Sequence, residues 1–516
     1  MSSAIELSIF ASRLNALCDE MGASLQRSAF SPNIKDRLDF SCAIFDAAGQ
    51  LCAQAAHIPV HLGSMAFAMV DLTQACQWQP GDILIVNDPY LGGTHLPDVT
   101  LIAPVFHDAE LMGFVANRAH HANIGASSPG SMPIASQLHE EGVVVPPSLL
   151  LRDGRLRESL LESLCGKSDV RGRGDVYAQI SCCEVGVKRL QQLLQALGNE
   201  SFRDLVAELN AYGESLALQE WSSITDGVYC FSDLMDDDGM GQMDIPIRIT
   251  LTIKQGRITA DFNGTAEQVR GNINCPLSVT AAAVYYCLRC LLPEYAPACA
   301  GTFRPIELLA PQGSLVNAKR PAAVAAGNVE TSSRIVDVVF GALAKALPQR
   351  IPAASQGTMN NLAMGSTGDA DNGAWDYYET LAGGSGAGPQ GDGLSARQTH
   401  MTNTLNTPVE SIESHYPIRV TRYQVRRESG GAGQYRGGDG VIREFEFLAP
   451  AQATLLTERR CRGPWGLRGA EEGKAGQNWL NGQRLSAKSQ VTLKTGDRLT
   501  LMTPGGGGWN CAGQKG

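Results

Sequence analysis

The chain has 516 residues, 43% of them hydrophobic and 18% charged, with a formal net charge of −10. That length suits about two to four domains with ample packed core. The acidic balance, with no Lys/Arg-rich run, argues against nucleic acid as the main partner, and no apolar run reaches the ~18–20 residues that would span a bilayer.

The N-terminus has no basic stretch followed by an apolar one, so a cytoplasmic protein without a secretion signal is expected. Residues 5–27 carry apolar side chains at helical spacing (Ile5, Ile9, Leu14, Leu17, Met21, Leu25) and predict an opening amphipathic helix. Residues 38–45 (LDFSCAIF), a turn at 46–50 with Gly49 free to take positive φ, and 51–55 predict a β-hairpin. That register sets Asp39 opposite about His57. Asp39 is then a metal ligand, a partner that orients His57, or half of a structural Asp–His pair. A helix is expected over 63–75.

The segment VNDPYLGGTHLPDVTLIAPVFHDAELMGFVANRAHHANI, residues 86–124, is the most informative. Alternating apolar residues run over 98–106 and 111–119, with the short polar stretch His107-Asp108-Ala109-Glu110 between them. A turn centred between Asp108 and Ala109 puts Asp98 opposite about Ala119 or His120. Opposed Cβ atoms lie roughly 4.5–5.5 Å apart, a gap that a metal with ligand bonds of about 2.0–2.2 Å bridges. His95 sits three residues before Asp98, with Pro97 stiffening the link. A lone His at a strand end is usually a surface or capping residue, but an adjacent pair, His120-His121, beside His95 and Asp98 has the donor types of a metal site.

Residues 131–161 read as irregular, and helices are expected over 176–197 and 201–220. Strands over 245–253 and 257–262, turning at Gln255-Gly256, open a second region with helices over 278–292 and 336–347. From about residue 365 glycine becomes dense and short strands replace helices. The expected fold class is α+β (mixed α/β) and multidomain, with a metal-site region over 1–225, a central α/β region over 226–364 and a β-rich region over 365–516. The 14 cysteines lack disulfide-like spacing and sit in apolar runs, the pattern of buried reduced thiols. The glycine runs 383–388 and 503–508 lack the strand-before, helix-after context of a nucleotide loop, and no GxxxxGK[ST] occurs. They predict tight turns or close backbone approach, with no nucleotide-binding residues.

SPNIKDRLDFSCAIFD, HIPVHLGSM, NDPYLGGTHLPDVTLIAPVF, NRAHHANIG, GNVETSSR, YYETLAGGSGAGP, HMTNTLNTPVES and TPGGGG together resemble the B subunit of the hydantoinase/oxoprolinase family, over nearly the whole chain. That family includes N-methylhydantoinase, bacterial 5-oxoprolinase, caprolactamase and the large subunits of acetone and acetophenone carboxylases. The resemblance implies a hetero-oligomer. An A-type partner with an actin-like fold uses ATP to phosphorylate the substrate oxygen, and the B-type chain carries a divalent metal and finishes the reaction. The family's ligand pattern maps onto Asp39, His95, Asp98 and His120, with Zn, Mn or Fe suited to such donors. His121 or His57 would be the general base, and His61, Asn123 and His400 candidate substrate contacts. Two departures stand out. His121-Ala122-Asn123-Ile124-Gly125 replaces the frequent HxDIG, and Arg397-Gln398-Thr399 leads into the HMTNT motif, which starts at His400, without the extra His of many members. The implied activity is hydrolysis of a small cyclic amide: a hydantoin, 5-oxoproline or a related lactam. A subunit of an acetone-type carboxylase is the alternative enzyme, and a non-catalytic scaffold for the ATP-binding chain the third reading.

Overall fold

The structure is a computed structural model that describes residues 4–55, 57–166, 169–368 and 373–511. Its first sheet has seven strands: β1 (Phe40–Asp46), β2 (Leu51–Gln54), β3 (Ile83–Val86), β4 (Asp98–His107), β5 (Glu110–His120), β6 (Ser148–Arg152) and β7 (Arg155–Leu156). Their spatial order is β2-β1-β5-β4-β3-β6-β7, antiparallel throughout. The two expected hairpins are β1–β2 and β4–β5. The second turns on Asp108 and Ala109, both at positive φ (51° and 63°), as a two-residue turn matched to strand twist demands. Residues 131–161 are less irregular than expected, because β6 and β7 extend the sheet beyond β3. The five residues of β6, SLLLR, are too few to declare a period.

Side-chain alternation gives this sheet two faces. Phe45, Val86, Ile102 and Phe114 pack against α3, the third helix of the chain after α1 (Ala4–Ser28) and α2 (Pro32–Lys35); α3 spans Pro59–Thr73 and meets the sheet through Leu62, Met65 and Met69. Ile44, Val99, Leu101 and Val115 face the other way, onto α1 and the long helix Val170–Leu197. Proline at the first position of α3 costs nothing, because that N–H has no partner within the helix. The long helix begins before residue 176 because the Asp169 side chain caps it, accepting from Gly172 N at 2.9 Å.

A second sheet orders Ile306–Leu309, Arg257–Asp261, Met243–Lys254 and Gly227–Asp237, and shares a core with helices Leu277–Arg289 and Ser332–Ala346. Helix Leu277–Arg289 also meets α3, where a Cβ on Gly63 would fall 2.5 Å from Ala282 Cα. Only glycine permits that approach. The C-terminal part contains a four-stranded and a five-stranded antiparallel sheet around a common core that includes Leu362, Met364, Phe445 and Leu499. Strand Asn361–Ser366 belongs to these sheets and runs across residue 364. The glycine runs 383–388 and 503–508 lie backbone against backbone. A Cβ on Gly506 would sit 2.0 Å from Ser385 O, and the amides of Gly384, Gly506, Gly507 and Gly508 already donate to carbonyls. Among the described residues no helix is long and apolar enough to cross a membrane.

Candidate metal centre

β4 begins at Asp98, β5 ends at His120, and the two are direct partners across the ladder. Both lie on the α3 face. Two residues further in, Thr100 and Arg118 share that face, and Arg118 Nε donates to Thr100 Oγ1 at 2.7 Å. His95 reaches back from the loop before β4, its Nε2 3.2 Å from Asp98 Oδ2. One ligand atom from each of His95, Asp98 and His120 falls within 4.8 Å of the others, and all three side chains are buried. They line a cavity of about 20 Å³, room for one water or one ion.

Neighbours fix each member. His120 stacks flat on Tyr378 (4.5 Å between centroids, 5° between planes), and its Nδ1 lies 3.1 Å from Asn33 Nδ2 on α2. Asp98 Oδ2 accepts from Thr94 Oγ1 at 2.5 Å and from Asn328 Nδ2 at 3.3 Å. His61, in the first turn of α3, puts Nε2 3.2 Å from Asp98 Oδ1 and 4.0 Å from Asp39 Oδ1. Asp39 lines the cavity, 3.7 Å from Arg37, but stands outside the three-donor group. Its backbone carbonyl accepts His120 N at 3.0 Å.

The donor set fits a divalent cation. His95 Nδ1 and His120 Nε2 are buried without a hydrogen-bond partner within the protein, and His95 Nε2 and Asp98 Oδ1 have only the 3.2 Å contacts to Asp98 Oδ2 and His61 Nε2. Leaving such groups unsatisfied costs about 1–3 kcal/mol each. Two imidazoles and a carboxylate converging on one point are what Zn, Mn or Fe accept. The electrostatics agree for Asp98 and His120, whereas at His95 burial is outweighed by Asp98, which raises the pKa, so binding an ion there would displace a proton. Burial opposes charge on Asp98, but His61 and His95 outweigh it and hold the carboxyl well below its usual range. Burial, reinforced by His95, keeps His120 neutral, the form that ligates. Burial raises Asp39 against the pull of Arg37 and His61.

The other expected site residues lie elsewhere. Leu38 has φ 58° and the chain turns before β1; Asp39 never enters the β1–β2 ladder, which ends at Ala43 and Gln54. His57 is therefore not Asp39's partner; His61 is nearer. The His57 ring packs on Phe40 (5.0 Å) and lines a separate cleft of about 1080 Å³ beside α1 and helix Leu277–Arg289. Burial lowers its pKa to about 4. His121 follows His120 and so points to the opposite face, its Nε2 2.9 Å from Gln179 Oε1 on the long helix. Asn123 fixes its own loop, donating to Asp376 Oδ2 and accepting from Gly125 N. His400 contacts Tyr286 OH at 3.3 Å and packs by Phe340. None of these four lines the small cavity. The sequence reading did not place Asn33, Asn328 or Tyr378. GNVETSSR and YYETL were visible as motifs, but nothing local tied them to the hairpin.

The family model for hydantoinase B/oxoprolinase matches residues 3–511. The chain belongs to the hydantoinase B/oxoprolinase family. It is 37% identical to 5-oxoprolinase 1 of Arabidopsis thaliana over 99% of this chain, and spans 42% of that longer relative. The crystal structure of the ATP-dependent caprolactamase from Pseudomonas jessenii matches with a TM-score of 0.90 at 25% identity, over 99% of this chain and 92% of that one. A nucleotide-free acetone carboxylase matches with a TM-score of 0.87 at 18% identity, over 98% of this chain and 75% of that one, a likeness of fold.

Proposed function

We propose that this chain is the metal-holding B-type subunit of an ATP-dependent cyclic-amide hydrolase, acting on a hydantoin, 5-oxoproline or a related lactam. One observation carries the reading: His95, Asp98 and His120 converge on one small cavity, all three buried, with His95 Nδ1 and His120 Nε2 left without a partner in the protein. More than half of the 5-oxoprolinase relative lies outside the match, whereas nearly all of a caprolactamase chain lies within it. That contrast supports a separate A-type partner that carries the ATP chemistry and phosphorylates the amide oxygen.

An amide carbonyl resists water because resonance lowers its electrophilicity, and phosphorylation of its oxygen removes that protection. A divalent ion held by His95, Asp98 and His120 would polarise an oxygen and lower the pKa of water. The chain's own residues do the rest. Asn33 and Tyr378 hold the His120 ring, and Thr94 and Asn328 hold Asp98. His61, between Asp98 and Asp39, is the imidazole placed to take a proton from attacking water. Ile58, Met359 and Met401 wall the cavity and keep bulk water from the activated carbon.

The test is ring-opened product per ATP consumed in the complex with the A-type partner. Asp98→Asn keeps the side-chain size and removes the charged ligand. The proposal expects product to fall by at least about 100-fold while some ATP hydrolysis persists, because the phosphorylated intermediate decomposes. Unchanged yield at an unchanged rate would refute it.

A further inference from the structure

Two polar atoms in the cavity wall, Asn328 Oδ1 and Thr402 Oγ1, have no task in the account above. Asn328 Nδ2 donates to Asp98 Oδ2. A carboxylate only accepts, so this contact fixes which end of the amide points where. Asn328 Oδ1 is then buried with no partner in the protein. Thr402 Oγ1 is in the same condition, whereas its neighbour Thr404 is satisfied by Thr380 at 2.8 Å. Both Asn328 and Thr402 line the cavity with the three donors.

Asn328 is also rigidly mounted. It lies in the π-helical turn Gly327–Thr331 that leads into helix Ser332–Ala346. Such turns displace one residue from the regular ladder and recur at functional sites. The buried Glu141 carboxylate anchors the start of this segment by accepting from Val324 N and Ala325 N. With its backbone held from below and its Nδ2 held by Asp98, the Asn328 oxygen has little freedom to find another partner.

We infer that Asn328 and Thr402 read the amide edge of the substrate. Asn328 Oδ1 accepts the ring N–H, and the Thr402 hydroxyl donates to the amide oxygen before that oxygen is phosphorylated. The edge of the ring meets the mouth of the cavity and not its ion-sized interior. This rests on the cyclic-amide reading and narrows it to rings that carry an N–H at the bond to be opened. An acceptor and a donor lining one cavity complement a cis amide, whose N–H and C=O lie along one edge of a small ring. A methyl group on that nitrogen would set a carbon against a buried oxygen and leave it unpaired. A site built to hydrogen-bond a substrate N–H rejects analogues lacking it by as much as about 10⁴-fold.

The experiment uses the full chain complexed with its A-type partner. The probes are 5-oxoproline and hydantoin, each beside its counterpart methylated at the nitrogen of the scissile bond. Wild type is expected to favour the N–H compound by at least about 100-fold in kcat/KM. Asn328→Ala should shrink that ratio below about tenfold when compared with wild type at matched metal occupancy, since Asn328 also holds the ligand Asp98. Thr402→Val should lower kcat/KM for the N–H compound by about tenfold or more, and Thr402→Ser should restore it; this pair carries the test if Asn328→Ala fails to fold. Equal use of both compounds by wild type, an unchanged ratio in Asn328→Ala, or an unaffected Thr402→Val overturns the inference and leaves the hydrolase reading standing. No turnover of any cyclic amide by wild type overturns that reading and the inference with it.

Discussion

Replacing Asn33 should weaken metal binding without touching a ligand. Asn33 is 2% exposed, and its Nδ2 lies 3.1 Å from Nδ1 and 3.4 Å from the carbonyl oxygen of His120. Ligation through Nε2 requires the proton on Nδ1, and therefore requires the Asn33 amide, whose Oδ1 here accepts from Arg37 Nη1 at 3.4 Å, to turn its carbonyl to the ring. Loss of such an outer partner typically costs 10–100-fold in metal affinity, about 1.4–2.7 kcal/mol. The stack on Tyr378 survives in Asn33→Ala and contributes about 0.5–1.5 kcal/mol toward holding the ring. The expected loss is therefore nearer about tenfold. Asn33→Asp accepts the same proton with a charged oxygen and should match or exceed wild type. The assay is competition against a chromophoric chelator at fixed pH, with urea melts run alongside to record the expected global loss of about 1–2 kcal/mol in the alanine variant. An affinity for Asn33→Ala within about twofold of wild type would refute the argument that His120 binds through Nε2 with Asn33 behind it.

Two further outcomes follow from side-chain placement. His121→Gln should leave turnover within about threefold of wild type, because the ring faces Gln179 on the opposite side of the sheet, while His61→Gln should lower kcat by about 10²-fold or more; steady-state kinetics of the complex reads both. Burial depresses His400 to about 4 from 6.5, so its contribution to stability is complete above pH 6.5 and is lost as the pH falls toward 4. At 1.36 kcal/mol per unit that is about 3–4 kcal/mol. His400→Asn tolerates the local φ of 60° and should flatten that part of the stability–pH curve in denaturant titrations, whereas an unchanged curve would show that His400 is not its source.

The hairpin that carries Asp98 and His120 was legible because both strands alternate strictly and the turn between them is short and polar. Period and turn length alone set the register. His95 came with it, being three residues away. His61 was not legible as a member of the cluster. It sits on a helix whose rotation over the sheet is fixed by packing, including the close approach of Gly63 to Ala282, and no local pattern encodes that rotation. The pairing of Asp39 with His57 failed because β2 ends at Gln54, opposite Ala43, while β1 runs on to Phe40 paired with β5 alone. His121 misled for the opposite reason. Its adjacency to His120 looked like reinforcement, yet alternation along a strand sends neighbours to opposite faces. The glycine runs were legible as sites of close backbone approach, but which runs meet was not, because residues about 120 apart pair there, as Gly384 with Pro504.

The central claim is that His95, Asp98 and His120 hold one divalent ion. Elemental analysis of wild type and His95→Ala, each purified with metal supplied and checked for folding by circular dichroism, tests it most directly. The account predicts about one ion per wild-type chain and less than about one-tenth of that in a folded His95→Ala variant. Full retention of the ion by that variant would contradict it.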